Sequence, residues 1–191
     1  MIKTVVICED DRLDQYILTP VINQIFKELG QKVRIQFVPH TEIQGFNQAV
    51  QKAKHKIVLS RYPMADVFFL IIDRDGNENR ENGKFADRLA DAAASGNQMF
   101  GCLAVEELEV WALALHHRDL NEDWETIRKH RDPKEAYFEP FARQKKWHTG
   151  PGKGRKSAMN ILRQKWDRLK NRCPELNNLT QQVQDWFQYS K

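Results

Sequence analysis

The sequence contains no long hydrophobic run. Its most apolar stretch, residues 67–72, is far shorter than the roughly 20 residues that a membrane-spanning helix needs. The chain begins Met-Ile-Lys-Thr-Val-Val-Ile-Cys, without the extended apolar segment and small-residue cleavage site of a secretory signal. We therefore expect a cytoplasmic protein that has no contact with a membrane.

Cysteine is also scarce. The three residues, Cys8, Cys102 and Cys173, are an odd number and lack the Cys-x-x-Cys spacing of redox and zinc sites. We expect them to be reduced and mostly buried, as is usual for cytoplasmic proteins.

What is present is the composition of a globular protein, with 41% apolar and 29% charged residues in a chain of 191. The net charge is only +4, but residues 141–172 hold eleven lysines and arginines against a single acid, Asp167. A segment of this kind is typical of proteins that bind phosphates. A solvated helix face would give the same pattern.

Strand and helix patterns alternate along the first part of the chain. Apolar runs rich in β-branched residues predict strands at residues 3–8, 33–38, 66–72 and 99–105, with helices between them. The alternation predicts an α/β fold in which a parallel sheet of about four strands carries helices on both faces.

The helices follow from caps and apolar spacing. A capping box at Thr41 predicts a helix over residues 41–53, and further helices are expected at 84–94, 106–117, 156–172 and 175–189. We expect residues 1–117 to form the α/β core and residues 118–191 to form a basic helical extension packed on it.

Acidic residues follow two of the predicted strands. Glu9 ends the first, and Asp73 and Asp75 end the third. Functional groups collect beyond the carboxyl ends of parallel strands, and clustered carboxylates require a cation such as Mg²⁺ or Mn²⁺. The structural alternatives are an acidic helix start at residues 9–14 and an ordinary turn at 73–76.

These motifs resemble the TOPRIM fold, and most closely the small TOPRIM-like proteins related to overcoming-lysogenization-defect nucleases. The resemblance covers residues 1 to about 117, through Val-Val-Ile-Cys-Glu9, Leu-Ile-Ile-Asp73-Arg-Asp75-Gly and Val-Glu-Glu-Leu-Glu109-Val-Trp. It implies Mg²⁺ bound by Glu9, Asp73 and Asp75, phosphodiester cleavage or transfer, a role in phage defence and an ATPase partner.

Other acids are candidates for a further ligand. Glu106 lies at the strand end, whereas Glu109 matches the Glu-x-Trp pattern of the family. The family commonly has glycine where Asp10 stands and an acid four residues after the glutamate, whereas Asp14 lies five residues after it. The roles of Asp10, Asp11, Asp14 and Glu107 therefore stay open.

The basic segment supplies the expected nucleic-acid contacts. We assign phosphate binding on DNA or RNA to Lys145, Lys146, Lys153, Arg155 and Lys156. Lys156 is also assigned a catalytic role, in which its ammonium neutralises charge that develops on the phosphate.

Two other functions fit the same residues. The first strand and its acids resemble a response-regulator receiver, with Asp73 as phosphoacceptor. A hydroxyl residue after the fourth strand and a fifth strand ending in lysine, both expected of a receiver, are not evident. A catalytically inert nucleic-acid-binding module is the other alternative.

Overall fold

A parallel four-stranded sheet forms the centre of the protein. The computed structural model describes residues 1–189, and its sheet has the strand order β2-β1-β3-β4. The strands are β1 (Ile2–Ile7), β2 (Val33–Phe37), β3 (Val67–Asp73) and β4 (Met99–Ala104). All three pairings are parallel, which confirms the predicted α/β class.

Burial explains why the central strand is continuously apolar. Every residue of β3 before Asp73 is buried, because helices cover both faces of the sheet. Val6 of β1 is paired with Phe69, and Phe69 is paired in turn with Phe100 of β4. Side chains from three neighbouring strands thus meet in one layer on each face.

Ten helices surround the sheet within the described part of the chain. They are α1 (Asp11–Glu28), α2 (Gly45–Ala49), α3 (Lys52–Arg61), α4 (Lys84–Ala94), α5 (Glu109–Leu115), α6 (Trp124–Lys129), α7 (Glu139–Gln144), α8 (Arg155–Met159), α9 (Leu162–Arg172) and α10 (Pro174–Tyr189). A π-helical turn, Lys134–Phe138, precedes α7.

The two faces of the sheet carry different helices. Helices α2, α3 and α4 cover one face through Ala49, Val58 and Phe85. Helices α1 and α5 cover the other, together with α8, α9 and α10. Residues of the C-terminal extension, such as Trp166 and Val183, therefore share a hydrophobic core with β1, β3 and β4.

Three predicted helices have different bounds in the structure. The capping box at Thr41 forms a turn, in which the amides of Glu42 and Ile43 bond to the carbonyl of Pro39, and α2 begins only at Gly45. The helix expected over 156–172 is divided between α8 and α9. The one expected from residue 106 begins at Glu109, because the preceding backbone bonds to the loop after β3.

The three cysteines are free and buried, as expected. None of the helices in residues 1–189 combines the length and apolar character that crossing a bilayer requires.

Candidate metal centre at the carboxyl edge of the sheet

The strand order places the ends of β1 and β3 side by side. The chain leaves β1 toward β2 on one side, while β3 and β4 lie on the other, so the connections diverge between β1 and β3. In open parallel sheets, ligands bind in the crevice at such a switch point. Glu9 and Asp73 stand at its two sides.

Glu9 is held by the end of β3 and the start of α2. Its Oε1 accepts a hydrogen bond from the amide of Asp73 at 3.2 Å, and its carbonyl accepts one from Gly45 at 3.0 Å. Burial and the charge of Asp75 raise the pKa of Glu9, although the Asp73 amide and Arg80 oppose the shift. The positive groups around Glu9 therefore do not fully compensate for its burial and for the charge of Asp75.

Asp73 lies at the centre of the acidic residues. Its Oδ1 accepts a hydrogen bond from the amide of Leu108 at 2.8 Å, which ties β3 to the segment after β4. Burial raises the pKa of Asp73 well above its usual value, and the charges of Glu109, Asp14, Glu9 and Asp75 add to the shift. Acids from α1, from α5 and from the segments that follow β1 and β3 thus act on one carboxyl group.

Arg80 is the cation that sequence reasoning missed. Its Nη1 donates to Asp75 Oδ2 and to the carbonyl of Asp73, each at 2.7 Å, and lies 3.8 Å from Glu9 Oε1. The guanidinium stacks on Phe46, 4.0 Å from the ring centroid, and its side chain is 15% exposed. Arg80 therefore partly neutralises the carboxylates of Glu9 and Asp75 and holds the backbone of Asp73. Its position in a polar loop gave no signal in the sequence.

Glu106 fixes the loop after β3. Its carboxylate accepts from Arg74 Nε at 3.0 Å and from the amide of Gly76, and its carbonyl accepts from the amides of Arg74 and Asp75. The residue is only 3% exposed. Its assignment as a metal ligand stays a prediction, and would require Arg74 and Gly76 to release the carboxylate.

Glu109 joins the acidic residues to the basic segment. It is buried and paired with Arg155, which is itself 3% exposed and also donates to the carbonyl of Gly152 at 2.9 Å. The pair links α5 to α8 in the interior. Arg155 is therefore buried with the acids, whereas the lysines with which it was grouped are exposed.

Two further acids have strongly shifted pKa values. Burial raises the pKa of Asp14 to about 7, and the charge of Glu109 adds to the shift although Arg155 opposes it. Burial also raises the pKa of Glu107 to about 7, even though its Oε2 accepts from the amide of Lys134 at 2.7 Å. Both groups can exchange protons near neutral pH.

A second possible cation site lies next to Glu9. Asp10, Asp11 and His40 are the one set of three in residues 1–189 whose acidic or imidazole ligand atoms all lie within 4.8 Å of one another. Asp11 Oδ1 and His40 Nδ1 are buried, and neither has a hydrogen-bond partner among residues 1–189. Asp10, in contrast, is paired with Arg12 at 2.9 Å. The ligand atoms of Glu9, Asp73 and Asp75 are farther apart in this conformation.

The predicted phosphate-binding lysines lie on the surface. Lys145, Lys146, Lys153 and Lys156 are all exposed. Lys145 is 3.5 Å from Asp119, and the other three have no ion-pair partner within the described chain. These lysines therefore present positive charge to solvent.

The loop before α8 packs on α1. A Cβ on Gly152 would lie 2.3 Å from Tyr16 Cδ2, so the loop backbone touches the tyrosine ring directly. Asp14, two residues before Tyr16, is close enough to Arg155 for the two charges to interact. The exposed lysines of this loop are thus attached to the helix that carries part of the acidic cluster.

No family model, curated protein or solved structure matches this chain.

Proposed function

We propose that the protein is a Mg²⁺-dependent or Mn²⁺-dependent nuclease whose site lies between the ends of β1 and β3. The observation that carries the proposal is the convergence of Glu9, Asp73 and Asp75 at the switch point of the sheet, each influencing the pKa of another. Burial raises the pKa values of Glu9 and Asp73, and carboxylates in that position are most simply stabilised by a cation.

The donor set fits a hard divalent ion. Glu9, Asp73 and Asp75 would hold it, and Asp10 or Asp11 lies near enough in sequence to contribute. When bound, such an ion polarises a phosphate and lowers the pKa of water. Because Arg80 bonds to Asp75 and to the Asp73 carbonyl, its guanidinium has to leave before the three carboxylates can close on an ion.

The basic loop supplies the substrate contacts in this proposal. Lys153 and Lys156 would bind backbone phosphates beside α1, and Lys156 would neutralise developing charge. Arg155 would act indirectly, by holding Glu109 and the Gly152 carbonyl and so fixing the loop. Tyr16 and Gln15 line a hollow of about 400 Å³ next to Lys156, which offers room for a nucleotide.

Cleavage assays test the proposal. Wild-type protein, Glu9→Gln and Glu122→Gln are incubated with single-stranded and double-stranded DNA and RNA and Mn²⁺, with and without a candidate ATPase partner. Glu9→Gln retains an acceptor for the Asp73 amide but loses its charge, so we expect cleavage to be abolished. Glu122 is an exposed control. Equal cleavage by wild type and Glu9→Gln would remove the acidic cluster from the mechanism.

The receiver alternative has one observation in its favour. Asp73 ends β3 next to β1, and the order β2-β1-β3-β4 is that of the first four strands of flavodoxin-like sheets. The described residues provide no fifth strand, and α10 packs on β4 instead. Incubation with acetyl phosphate separates the two functions, because a receiver gains one phosphoryl group on Asp73 and a nuclease gains none.

A further inference from the structure

A second cavity lies between α3 and α4, on the face of the sheet that the extension does not cover. Its volume is about 480 Å³, within the range of small-molecule sites. Ser95 and Asn97 line it at the end of α4, where the chain turns into β4. The cavity therefore reaches toward the amino ends of the strands, away from Glu9 and Asp73.

Positive charge predominates in the wall of this cavity. Lys52, Lys56 and Arg88 line it, together with one carboxylate, Asp91. Asp91 is shared, since it lies 3.2 Å from Lys52 Nζ and 2.8 Å from Arg88 Nη2. Three cations against one anion leave two positive charges in excess. The dianion of a phosphate monoester would balance them.

Two deeply buried side chains of the wall have unused hydrogen-bonding atoms. Arg88, 7% exposed, donates from Nη1 to the carbonyl of Val50 at 3.2 Å, but its Nε has no partner in residues 1–189. His55, 2% exposed, is bonded through Nε2 to the carbonyl of Ala49, and its Nδ1 has no partner among the same residues. Native proteins leave few such atoms unpaired, so each requires an explanation.

The two unused atoms are of opposite kinds. A carbonyl only accepts, so His55 Nε2 carries the proton and Nδ1 is an acceptor. Burial lowers the pKa of His55, which keeps the ring neutral. Arg88 Nε is a donor. Both atoms are covered in this conformation, so a shift of the cavity wall has to expose them. A ligand with a phosphate for Arg88 and a hydroxyl or amino group for His55 would then satisfy both.

We propose that the α3–α4 cavity binds a small phosphate monoester of the nucleoside monophosphate type. Lys52, Lys56 and Arg88 bind the phosphate, and Leu59 and Ala94 provide apolar contact for the organic group. A free phosphate ion would leave most of the cavity empty. The site is independent of the metal centre and of the nuclease proposal.

Calorimetry with adenosine 5′-monophosphate in EDTA tests the site without a metal. We expect the nucleotide to bind, adenosine not to bind, and inorganic phosphate to bind more weakly than the nucleotide. Lys52→Gln and Lys56→Gln should each weaken nucleotide binding about tenfold. Lys84→Gln removes the same charge from α4 outside the cavity and should leave the affinity unchanged.

A gain-of-function variant guards against misfolding as an explanation. Asp91→Asn frees Lys52 and Arg88 from their carboxylate, so the nucleotide should bind at least about threefold more tightly. Several results would overturn the proposal: no nucleotide binding by wild type or Asp91→Asn, equal binding of adenosine, inorganic phosphate as tight as the nucleotide, or equal losses in Lys84→Gln and Lys56→Gln.

Discussion

Asp14 shows how a single residue links the acidic cluster to stability. Its pKa is raised to about 7 by burial first and by Glu109 second, so the folded protein binds a proton more tightly than the unfolded chain does. A raised carboxyl pKa lowers the free energy of unfolding as pH increases from the unfolded value near 4 to about 7. Metal-free protein should therefore be more stable at pH 5 than at pH 8, as far as Asp14 contributes.

Asp14→Asn should remove that penalty. Asparagine still accepts the hydrogen bond from the Asp10 amide, now 2.9 Å long. We expect the variant to be more stable than wild type by about 2 to 4 kcal/mol at pH 8 in EDTA, and by much less at pH 5. Urea denaturation at the two pH values measures this. Asp167→Asn, at an 87% exposed position, is the control, and equal effects of the two variants would contradict the account.

Arg80 gives a second prediction at the residue scale, because it occupies the carboxylates that a metal would use. Arg80→Gln should destabilise the metal-free protein by leaving Glu9, Asp73 and Asp75 to repel one another. The same variant should bind Mn²⁺ about three to ten times more tightly, because no internal cation competes. Calorimetry gives the affinity and thermal unfolding gives the stability. Weaker Mn²⁺ binding by Arg80→Gln would mean that Arg80 supports the site and does not block it.

At the scale of elements, the loop before α8 depends on one glycine. Gly152 combines φ +63° with direct contact on Tyr16, so alanine would meet both backbone strain and a clash. Gly30→Ala is a matched control, with φ +65° and nothing within 4 Å of the added Cβ. We expect Gly152→Ala to cost about 2 to 4 kcal/mol and Gly30→Ala about 1 kcal/mol. Comparable losses would show that the loop moves freely away from α1.

The strands were easier to predict from the sequence than the turns. The strands were predictable because β3 is buried on both faces and is therefore apolar without interruption. Glu9 and Asp73 could be placed near each other because the carboxyl ends of parallel strands share an edge. The turn at Thr41 could not be predicted, because the Gln44 amide that a capping box would bond to Thr41 bonds instead to Gln48 Oε1 at 3.1 Å.

The charge pattern of the sequence did not show which lysines and arginines are buried in ion pairs and which are exposed. Arg155 and Lys156 are neighbours in a basic run, yet one is buried against Glu109 and the other is exposed. Their positions around α8 place Arg155 inside the protein and Lys156 outside. These positions could not be predicted, because the sequence pattern did not show that α8 begins at Arg155 and ends before α9. The role of Arg80 could not be predicted either, because an isolated arginine in a polar loop belongs to no periodic pattern.

At the scale of the whole molecule, nucleic-acid binding should depend on salt through the exposed lysines. Each phosphate contact adds about 0.7 to 0.9 to the slope of log affinity against log salt, so replacing Lys153 and Lys156 by glutamine should lower the slope by about 1.4 to 1.8. Fluorescence anisotropy over a salt series measures it. Replacing Lys32 and Lys84, which are exposed lysines elsewhere on the protein, should leave the slope unchanged. An unchanged slope in the first variant would reduce the basic loop to a solvated surface.

A crystal of the protein soaked in Mn²⁺ would show by anomalous scattering where a divalent cation binds. We expect a peak within about 2.0 to 2.4 Å of carboxylate oxygens of Glu9, Asp73 and Asp75, with the Arg80 side chain moved away from Asp75. A peak held by Asp10, Asp11 and His40 alone, or no peak near the ends of β1 and β3, would contradict it.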